Sequence, residues 1–291
     1  MPASPLHATL LAWYAATARD LPWRDPGRTP WGVLVSEVML QQTPVDRVVP
    51  AWHAWLARWP EPADLAADSP GEAVRQWGRL GYPRRALRLH AAAIACVERF
   101  DGQVPTSYDD LRSLPGVGDY TAAAVIAFAH GRRAVVLDTN VRRVLARVLA
   151  GAEHPRPSVT VEERRAADAV LPDDDAAAAA WSVAVMELGA LVCTSAAPRC
   201  DACPVRAGCA WVAAGRPPYD GPPRKVQTFA GTDRQVRGRL MAVLRESAAP
   251  LPKAVLDAVW DDEVQRERAL DGLVADGLVD PLPDGRFALP A

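Results

Sequence analysis

Four of the five cysteines in the 291-residue chain fall within one short stretch, at Cys193, Cys200, Cys203 and Cys209. Thiols of a cytosolic protein stay reduced, so cysteines clustered in this way indicate a metal site rather than disulfides. Zinc sites are usually built from paired knuckles, whereas the spacing C-x6-C-x2-C-x5-C contains a single C-x2-C pair. We therefore expect one loop wrapped around an iron–sulfur cluster, with a zinc ion as the alternative. The fifth cysteine, Cys96, lies in an apolar stretch and is expected to be a small buried residue.

A second candidate site is the backbone of residues 114–118, which read Leu-Pro-Gly-Val-Gly between two predicted helices. Glycines let a backbone approach an anion closely, and the N–H groups at the start of the following helix attract negative charge. We expect Gly116, Val117 and Gly118 to hold a nucleic-acid phosphate, a contact that fixes register without reading the base sequence. An ordinary turn between two helices is the alternative.

The basic side chains are almost all arginines. The chain contains two lysines, Lys225 and Lys253, so residues 1–224 carry no side-chain amine that could act as a nucleophile. A formal net charge of −2 does not by itself indicate a nucleic-acid partner. The arginines are nevertheless concentrated in residues 79–88 and 132–147, whereas acids gather at 173–175 and 261–263, which separates a basic face from acidic ones.

The elements that must position these residues are predicted to be helices. In the first 210 residues apolar side chains recur at helical spacing, as in Leu6, Leu10, Trp13 and Tyr14. Three acids followed by alanines at residues 173–180 make a normal helix start. The fold class expected from this pattern is all-α.

Proline and glycine interrupt the helices at residues 215–232, a composition typical of a semi-rigid linker. We expect a core at residues 1–214, with a six-helix subdomain at about 22–134 and a cluster subdomain formed by 1–21 and 135–214. Residues 233–291 show three helical patterns and then Asp284-Gly285, a signal for a hairpin turn. This order suggests a winged-helix-like module, for which contact with DNA and contact with protein both stay open.

The first residues, 1–19, lack a basic segment followed by an apolar run, and no stretch approaches the roughly 18 apolar residues of a membrane helix. Apolar residues make up 49% of the chain and charged residues 23%, a composition typical of soluble globular proteins. We expect a cytoplasmic protein without a membrane partner. No dimerisation signal is evident, so a monomer is expected.

Several strings of residues can be read without gaps along the core: 21–24 (Leu-Pro-Trp-Arg), 36–43 (Ser-Glu-Val-Met-Leu-Gln-Gln-Thr), 78–82 (Gly-Arg-Leu-Gly-Tyr) and 136–140 (Val-Leu-Asp-Thr-Asn). With the hairpin and the cysteine loop they resemble the endonuclease III superfamily of helix-hairpin-helix DNA glycosylases, and within it the MutY branch. The resemblance covers about residues 6–210. It implies two helical subdomains with a DNA groove between them, a 4Fe–4S cluster on the four clustered cysteines, and association with the nucleoid.

Cleavage of an N-glycosidic bond needs an acid that protonates the leaving base and a carboxylate that stabilises the cationic sugar. The resemblance assigns the first role to Glu37, acting on adenine N7, and the second to Asp138, which stabilises the oxocarbenium ion or binds it covalently. Tyr120 and Asn140 are implied to support the transition state. Glu37 is the only charge within residues 31–41, so we expect it to be buried.

Relatives with lyase activity carry a Schiff-base lysine two residues after the second hairpin glycine, and this position is Tyr120. Because no lysine precedes Lys225, no neighbouring amine in the core replaces it. The resemblance therefore implies a monofunctional glycosylase that leaves an abasic site, with lyase activity absent or weak.

Gln42 and Tyr82 match the residues that the family wedges beside the base opposite the target. Arg84 and Arg85 are expected to contact phosphates, with a solvated helix face as the alternative. The chain departs from the family at Pro83, which biases Tyr82 away from helical geometry. It also carries the winged-helix-like module where family members commonly have a Nudix-like domain for 8-oxoguanine.

The implied reaction is the hydrolysis of adenine mispaired with 8-oxoguanine or guanine from double-stranded DNA, a step of base excision repair. A thymine or uracil mismatch glycosylase on the same scaffold is one alternative, although N7 protonation by Glu37 is purine chemistry. A non-catalytic iron–sulfur regulator that binds DNA is the other. The joint presence of Glu37, Asp138 and Tyr120 argues against it.

Overall fold

The computed structural model describes residues 5–221 and 229–291, and these are mainly helical, as the apolar spacing predicts. Their contacts divide the chain into two compact units. Unit 1 comprises Met1–Val33, Thr106–Tyr108 and Gly118–Pro223, and unit 2 comprises Leu34–Pro105, Asp109–Val117 and Arg224–Ala291. Part of the predicted linker, residues 222–228 with Lys225, lies outside the described residues. Within the described ranges no helix is both long and apolar enough to cross a membrane.

The helices are numbered along the chain, and the boundary between the units falls within the second and the seventh. They are α1 (Pro5–Thr17), α2 (Pro30–Met39), α3 (Val45–Arg58), α4 (Pro62–Ala67), α5 (Pro70–Trp77), α6 (Arg84–Arg99), α7 (Tyr108–Ser113), α8 (Asp119–Phe128), α9 (Thr139–Ala150), α10 (Val161–Ala169), α11 (Asp175–Leu191), α12 (Ala210–Ala213), α13 (Asp233–Glu246), α14 (Lys253–Asp257) and α15 (Glu263–Ala275). The strands are β1 (Leu251–Pro252), β2 (Asp280–Pro281) and β3 (Arg286–Ala288).

The core of unit 1 lies where α11 packs against α9 and α1. Leu10, Val144 and Leu188 are buried there, one from each of these helices. Helix α11 begins after the acids that predicted its start, because the Asp174 side chain accepts a hydrogen bond from the N–H of Ala177 at 2.9 Å. This N-cap satisfies one of the backbone donors that every helix start leaves unpaired.

Helix α8 groups with unit 1, whereas the sequence predicts that residues up to about 134 belong to the other subdomain. The physical reason is the packing of small side chains. Ala123, Ala124 and Ala127 are buried together with Val136, and Ala179 of α11 packs against them. Because α8 is apolar on most of its circumference, its sequence does not indicate which partner covers it.

In unit 2 helix α6 packs against α4 and α5, and α3 packs against α5. Three tryptophans form the centre of this core. The ring of Trp55 meets those of Trp59 and Trp77 edge to face, with centroids 4.7 and 5.7 Å apart, a geometry that aromatic pairs favour. This core fixes α5 and α6, and with them residues 78–83, which join the two helices.

Residues 233–291 form a module of three helices and a small antiparallel sheet with the strand order β1-β3-β2. The three predicted helices are present, and the chain turns between β2 and β3 at Gly285, whose φ is 79°. Strand β1 has no counterpart in the sequence prediction, because two residues give no alternation to read. By its contacts the module groups with unit 2.

Candidate functional site

Asp138 and Asn140 lie together at the start of α9. Asp138 is the N-cap, and its Oδ1 accepts a hydrogen bond from the N–H of Val141 at 2.6 Å. Its other oxygen, Oδ2, accepts one from Asn140 Nδ2 at 2.9 Å. Burial raises the pKa of the Asp138 carboxyl above its ordinary value, against the lowering effect of these hydrogen bonds. Both carboxylate oxygens are thus held in fixed positions.

Arg143, one turn further along α9, connects this carboxylate to the cysteine loop. Its Nη2 donates to Asn140 Oδ1 and to the carbonyl of Gly189, both at 2.7 Å. Its Nε donates to the carbonyl of Cys193, also at 2.7 Å. A Cβ atom at Gly189 would lie 2.7 Å from Asn140 Cβ, so only glycine lets α11 approach Asn140 this closely.

The predicted helix-hairpin-helix is present as α7, a turn and α8. The turn is closed by a hydrogen bond from the N–H of Val117 to the carbonyl of Leu114 at 3.2 Å. Gly116 is exposed with φ 81°, and a Cβ there would lie 2.8 Å from the Cβ of Arg88 on α6. Glycine is therefore required at this position by backbone conformation and by packing. Gly118 is the exposed N-cap of α8, and Tyr120 lies half-buried in its first turn.

Glu37 lies on α2 in unit 2, and only 5% of it is exposed. Its neighbours Ser36 and Val38 are buried as well. This agrees with the expectation that a single charge within an apolar helix is buried.

Gln42 and Tyr82, the candidate wedge residues, are exposed and share an unusual backbone conformation. Gln42 has φ 57° and Tyr82 has φ 47°, in the left-handed region that residues other than glycine and asparagine seldom adopt. The conformation of Tyr82 agrees with the expectation that Pro83 keeps it out of a helix. Such strain persists only where the surroundings hold it.

Arg85 provides that hold. Its Nη1 donates to the carbonyls of Val38 at 2.8 Å, Met39 at 3.1 Å and Gln41 at 2.5 Å. Its Nη2 donates to Thr43 Oγ1 and to the carbonyl of Gly81, each at 3.1 Å.

Only 6% of Arg85 is exposed, and burial lowers its pKa to about 10, so it stays charged at neutral pH. A guanidinium committed to carbonyls in this way is not presented to a phosphate. The predicted DNA contact of Arg85 therefore gives way to an internal role.

Arg84, the other predicted phosphate contact, is exposed and forms an ion pair with Asp276 of the C-terminal module at 3.1 Å. This ion pair competes with the predicted contact of Arg84 with DNA. Asp276 also pairs with Arg237.

The four clustered cysteines line one cavity in unit 1. Cys193 is the second residue after the end of α11, Cys200 begins a short 3-10 helix, and Cys209 is buried. Burial, and to a smaller extent the three neighbouring cysteines, raise the pKa of the Cys203 thiol to about 11. The four thiols therefore lie close enough to interact electrostatically. Thiolates in such a setting need a cationic centre to stabilise them.

Four cysteine thiols around one cavity are the kind of donor set that an iron–sulfur cluster takes, with one thiolate on each iron.

Arg147 adds a buried positive charge beside these sulfurs. Its side chain is 1% exposed, and its Nη1 donates to Cys193 Sγ at 3.3 Å and to the carbonyl of Thr194 at 2.8 Å. The guanidinium also lies 4.7 Å from the ring centroid of Trp211. A fixed cation of this kind offsets the negative charge of clustered thiolates.

Sequence reasoning missed the internal roles of Arg85, Arg143 and Arg147. Arg143 and Arg147 lie in a basic stretch that the sequence analysis assigned to a basic face, and each contacts the carbonyl or sulfur of Cys193 instead. Their spacing places the two arginines on one face of α9, but it does not indicate whether that face meets DNA or the cysteine loop. Arg85 carried no signal of its internal role.

Comparison with known proteins gives this arrangement a family. The sequence model for the HhH-GPD superfamily base excision DNA repair protein matches residues 35–167. An adenine DNA glycosylase of Mycobacterium tuberculosis is 53% identical over 285 residues, covering 97% of this chain and 92% of the relative. That match includes most of the C-terminal module.

Two further comparisons concern glycosylases named for thymine or for thymine and uracil. A thymine/uracil-DNA glycosylase of Pyrobaculum aerophilum is 37% identical over 199 residues, covering 67% of this chain and 86% of the relative. The solved structure of a thermostable thymine-DNA glycosylase has a TM-score of 0.65 at 24% identity and covers 72% of this chain and 95% of its own, a likeness of fold alone. The match with the mycobacterial enzyme, 53% identical over nearly the whole chain, decides between the adenine and the thymine glycosylases. The chain belongs to the adenine DNA glycosylase family of the HhH-GPD superfamily.

Proposed function

We propose that this protein is an adenine DNA glycosylase of base excision repair that hydrolyses the N-glycosidic bond of adenine mispaired with 8-oxoguanine or guanine. The observation that carries the proposal is 53% identity with an adenine DNA glycosylase over 97% of the chain. Glu37 and Asp138, the two carboxylates that the chemistry needs, are both present.

In this proposal Glu37 donates a proton to N7 of the flipped adenine, which turns the base into a good leaving group. Asp138, as a carboxylate, stabilises the oxocarbenium ion that forms as the bond breaks, or binds it covalently before water attacks. The hydrogen bonds from Asn140 and the Val141 N–H aim this carboxylate. Tyr120 supports the transition state from the first turn of α8.

The enzyme is proposed to be monofunctional and to leave an abasic site. Tyr120 stands at the position where lyase relatives have lysine, and residues 1–224 contain no lysine. Borohydride, which traps a Schiff base between enzyme and DNA, should therefore yield no covalent complex within the core.

The proposed partner is double-stranded DNA with a mispaired adenine, bound by a monomer in the cytoplasm at the nucleoid. Gln42 and Tyr82 fill the gap beside the opposite base, and the hairpin Gly116, Val117 and Gly118 holds a phosphate. Exposure of Gln42, Tyr82 and the two glycines supports these contacts.

Cys193, Cys200, Cys203 and Cys209 are proposed to hold a 4Fe–4S cluster, whose irons would neutralise the thiolates and order the loop. Iron and sulfide analysis of anaerobically purified protein tests this. Cys203→Ser should lose iron, whereas the matched control Cys96→Ser should retain it, because Cys96 does not line the cavity. Stoichiometric zinc without sulfide would overturn the assignment.

The activity test uses four duplexes, with adenine opposite 8-oxoguanine, adenine opposite guanine, thymine opposite guanine and adenine opposite thymine. Strand scission is measured with and without alkali, beside Glu37→Gln and the exposed control Glu98→Gln. We expect alkali-dependent scission at mispaired adenine alone, abolished by Glu37→Gln and retained by Glu98→Gln.

A thymine or uracil mismatch glycosylase is the second candidate, favoured by the 37% identity with the Pyrobaculum enzyme. Scission at thymine opposite guanine without scission at mispaired adenine would replace the first proposal with this one. No scission on any duplex by iron-loaded protein would support a non-catalytic regulator.

A further inference from the structure

The C-terminal module, residues 233–291, contacts helix α5 through hydrogen bonds from two arginines, one on each side. Arg75 of α5 donates from Nη1 to the carbonyls of Arg245 and of Ser247, the latter at 2.8 Å. In return Arg245 of α13 donates from Nε to the carbonyl of Val74 at 3.1 Å. Each helix thus supplies a cation to the backbone of the other. Burial lowers the pKa of Arg245 to about 10, which leaves it charged at neutral pH.

The start of α5 is in contact with the end of the chain as well. A Cβ atom at Gly71 would lie 2.3 Å from the carbonyl oxygen of Pro290 and 3.1 Å from Leu289 Cβ. The φ of Gly71 is not in the left-handed region, so glycine is needed here for space and not for backbone freedom. The module is therefore seated on α5 at both ends of that helix.

A third contact reaches α6. Arg84, its first residue, pairs with Asp276 at 3.1 Å, and Asp276 directly follows α15. The module thus touches both helices that flank residues 78–83, which we call the Tyr82 loop. In this loop Gly78, Gly81 and Tyr82 all have positive φ, at 55°, 84° and 47°. A loop with such a backbone depends on how firmly its two ends are held.

Helix α15 of the module is poorly suited to entering a DNA groove. Its N-cap, Asp262, and its first residue, Glu263, are acidic, and its arginines already have partners. Arg266 is buried and donates to the carbonyl of Trp260 at 2.7 Å, and Arg268 pairs with Asp233 at 2.7 Å. A helix that enters a groove needs basic side chains to offer to phosphates.

We infer that the C-terminal module is an intramolecular brace that fixes the Tyr82 loop and thereby sharpens discrimination of the base opposite the target adenine. Arg75, Arg84 and Asp276 are its positioning residues. The inference rests on the proposed function, since it takes Tyr82 to be the wedge residue of an adenine glycosylase.

The test uses the full-length, iron-loaded protein and two pairs of variants. Gly71→Ala pushes the C-terminal segment off α5, and its matched control is Gly238→Ala on α13, where a Cβ would meet nothing within 4 Å. Asp276→Asn removes the ion pairs of Asp276 with Arg84 and with Arg237. Its control is Asp284→Asn, which breaks an exposed pair with Arg286 at the hairpin.

Two readouts are taken, namely hydrogen exchange of the amides in the Tyr82 loop and the ratio of affinities for adenine opposite 8-oxoguanine and adenine opposite thymine. We expect Asp276→Asn to speed exchange and lower the ratio about two- to fivefold, and Gly71→Ala to do so by more. The controls should match the wild type.

Unchanged exchange in Gly71→Ala and Asp276→Asn would overturn the brace. So would a loss of affinity for every duplex in Arg268→Gln and Arg286→Gln, because it would make the module a DNA contact. Hydrogen exchange needs no substrate, so an enzyme inactive on adenine would refute the proposed function while the brace is still decided by its own readout.

Discussion

At the scale of single residues, Arg143 joins the candidate catalytic carboxylate to the cysteine loop. It donates to Asn140 and to the carbonyl of Cys193, and Asn140 donates to Asp138. We expect Arg143→Gln to lower kcat about 10- to 100-fold with little change in KM, because it loosens a residue that aims the carboxylate. Single-turnover kinetics checks this, and circular dichroism reports whether the fold is kept. An unaltered kcat in a folded, iron-loaded variant would contradict it.

Replacing Asp138 is expected to change activity and stability in opposite directions. The pKa of Asp138 is raised in the folded protein, so the folded state holds this proton more tightly than the unfolded chain does. The resulting stability is present at low pH and is lost as rising pH ionises the buried carboxyl. Asn caps helices as well as Asp does. Asp138→Asn should therefore be inactive yet more stable than the wild type at pH 7, with the gap closing as pH falls towards the ordinary value of 3.8. Thermal melts at several pH values measure the gap, and a less stable variant at pH 7 would refute the argument.

At the scale of elements, Arg85 ties the end of α2 and the following turn to the Tyr82 loop. Arg85→Met leaves the carbonyls of Val38, Met39, Gln41 and Gly81 without their donor. We expect it to lower the free energy of unfolding by about 3 kcal/mol or more. The neighbouring, exposed Arg84→Met should cost about 0.5 kcal/mol or less. Urea denaturation compares the two, and equal costs would contradict the internal role of Arg85.

Glu187 holds residues 19–24 against α11. Its side chain is fully buried and accepts hydrogen bonds from Arg19 Nη2 at 2.8 Å and Arg24 Nη2 at 2.9 Å. Burial alone would raise its pKa, but the two arginines outweigh burial and lower it to about 2.

The lowered pKa of Glu187 stabilises the folded protein at pH values above 4.5, the pKa of this carboxyl in the unfolded chain. The stabilisation is lost as pH falls from 4.5 towards 2. At neutral pH Glu187→Gln should cost about 3 kcal/mol in the free energy of unfolding. The variant should also show a shallower loss of stability below pH 4.5. A slope equal to that of the wild type would show that other carboxylates govern acid unfolding.

The elements were predictable from local patterns, and their partners were not. The acids at 173–175 and the glycines of the hairpin fixed the starts of α11 and α8, because capping and turns are local. The grouping of α8 with unit 1 and the buried positions of Arg85 and Arg143 depend on residues distant in sequence. An arginine in a helix has the same pattern whether its guanidinium faces a phosphate or a carbonyl, so only the tertiary contacts separate the two.

At the scale of the whole molecule, a net charge of −2 means that DNA must be bound by local basic contacts and not by overall attraction. Each phosphate contact that is removed reduces the salt slope of binding by about 1. Because Arg84 pairs with Asp276, we expect Arg84→Gln to leave the slope unchanged while mispair discrimination falls. Binding titrations from low to high salt check this, and a slope reduced by one would make Arg84 a phosphate contact.

The close approach of Gly189 to Asn140 has a consequence for genetics. Any missense change at position 189 places a side chain against Asn140 and so displaces the neighbour of the candidate catalytic carboxylate, although Gly189 itself has no part in the chemistry. A mutational scan read out by mutation rate would accordingly group Gly189 with Asp138 and Asn140 as intolerant.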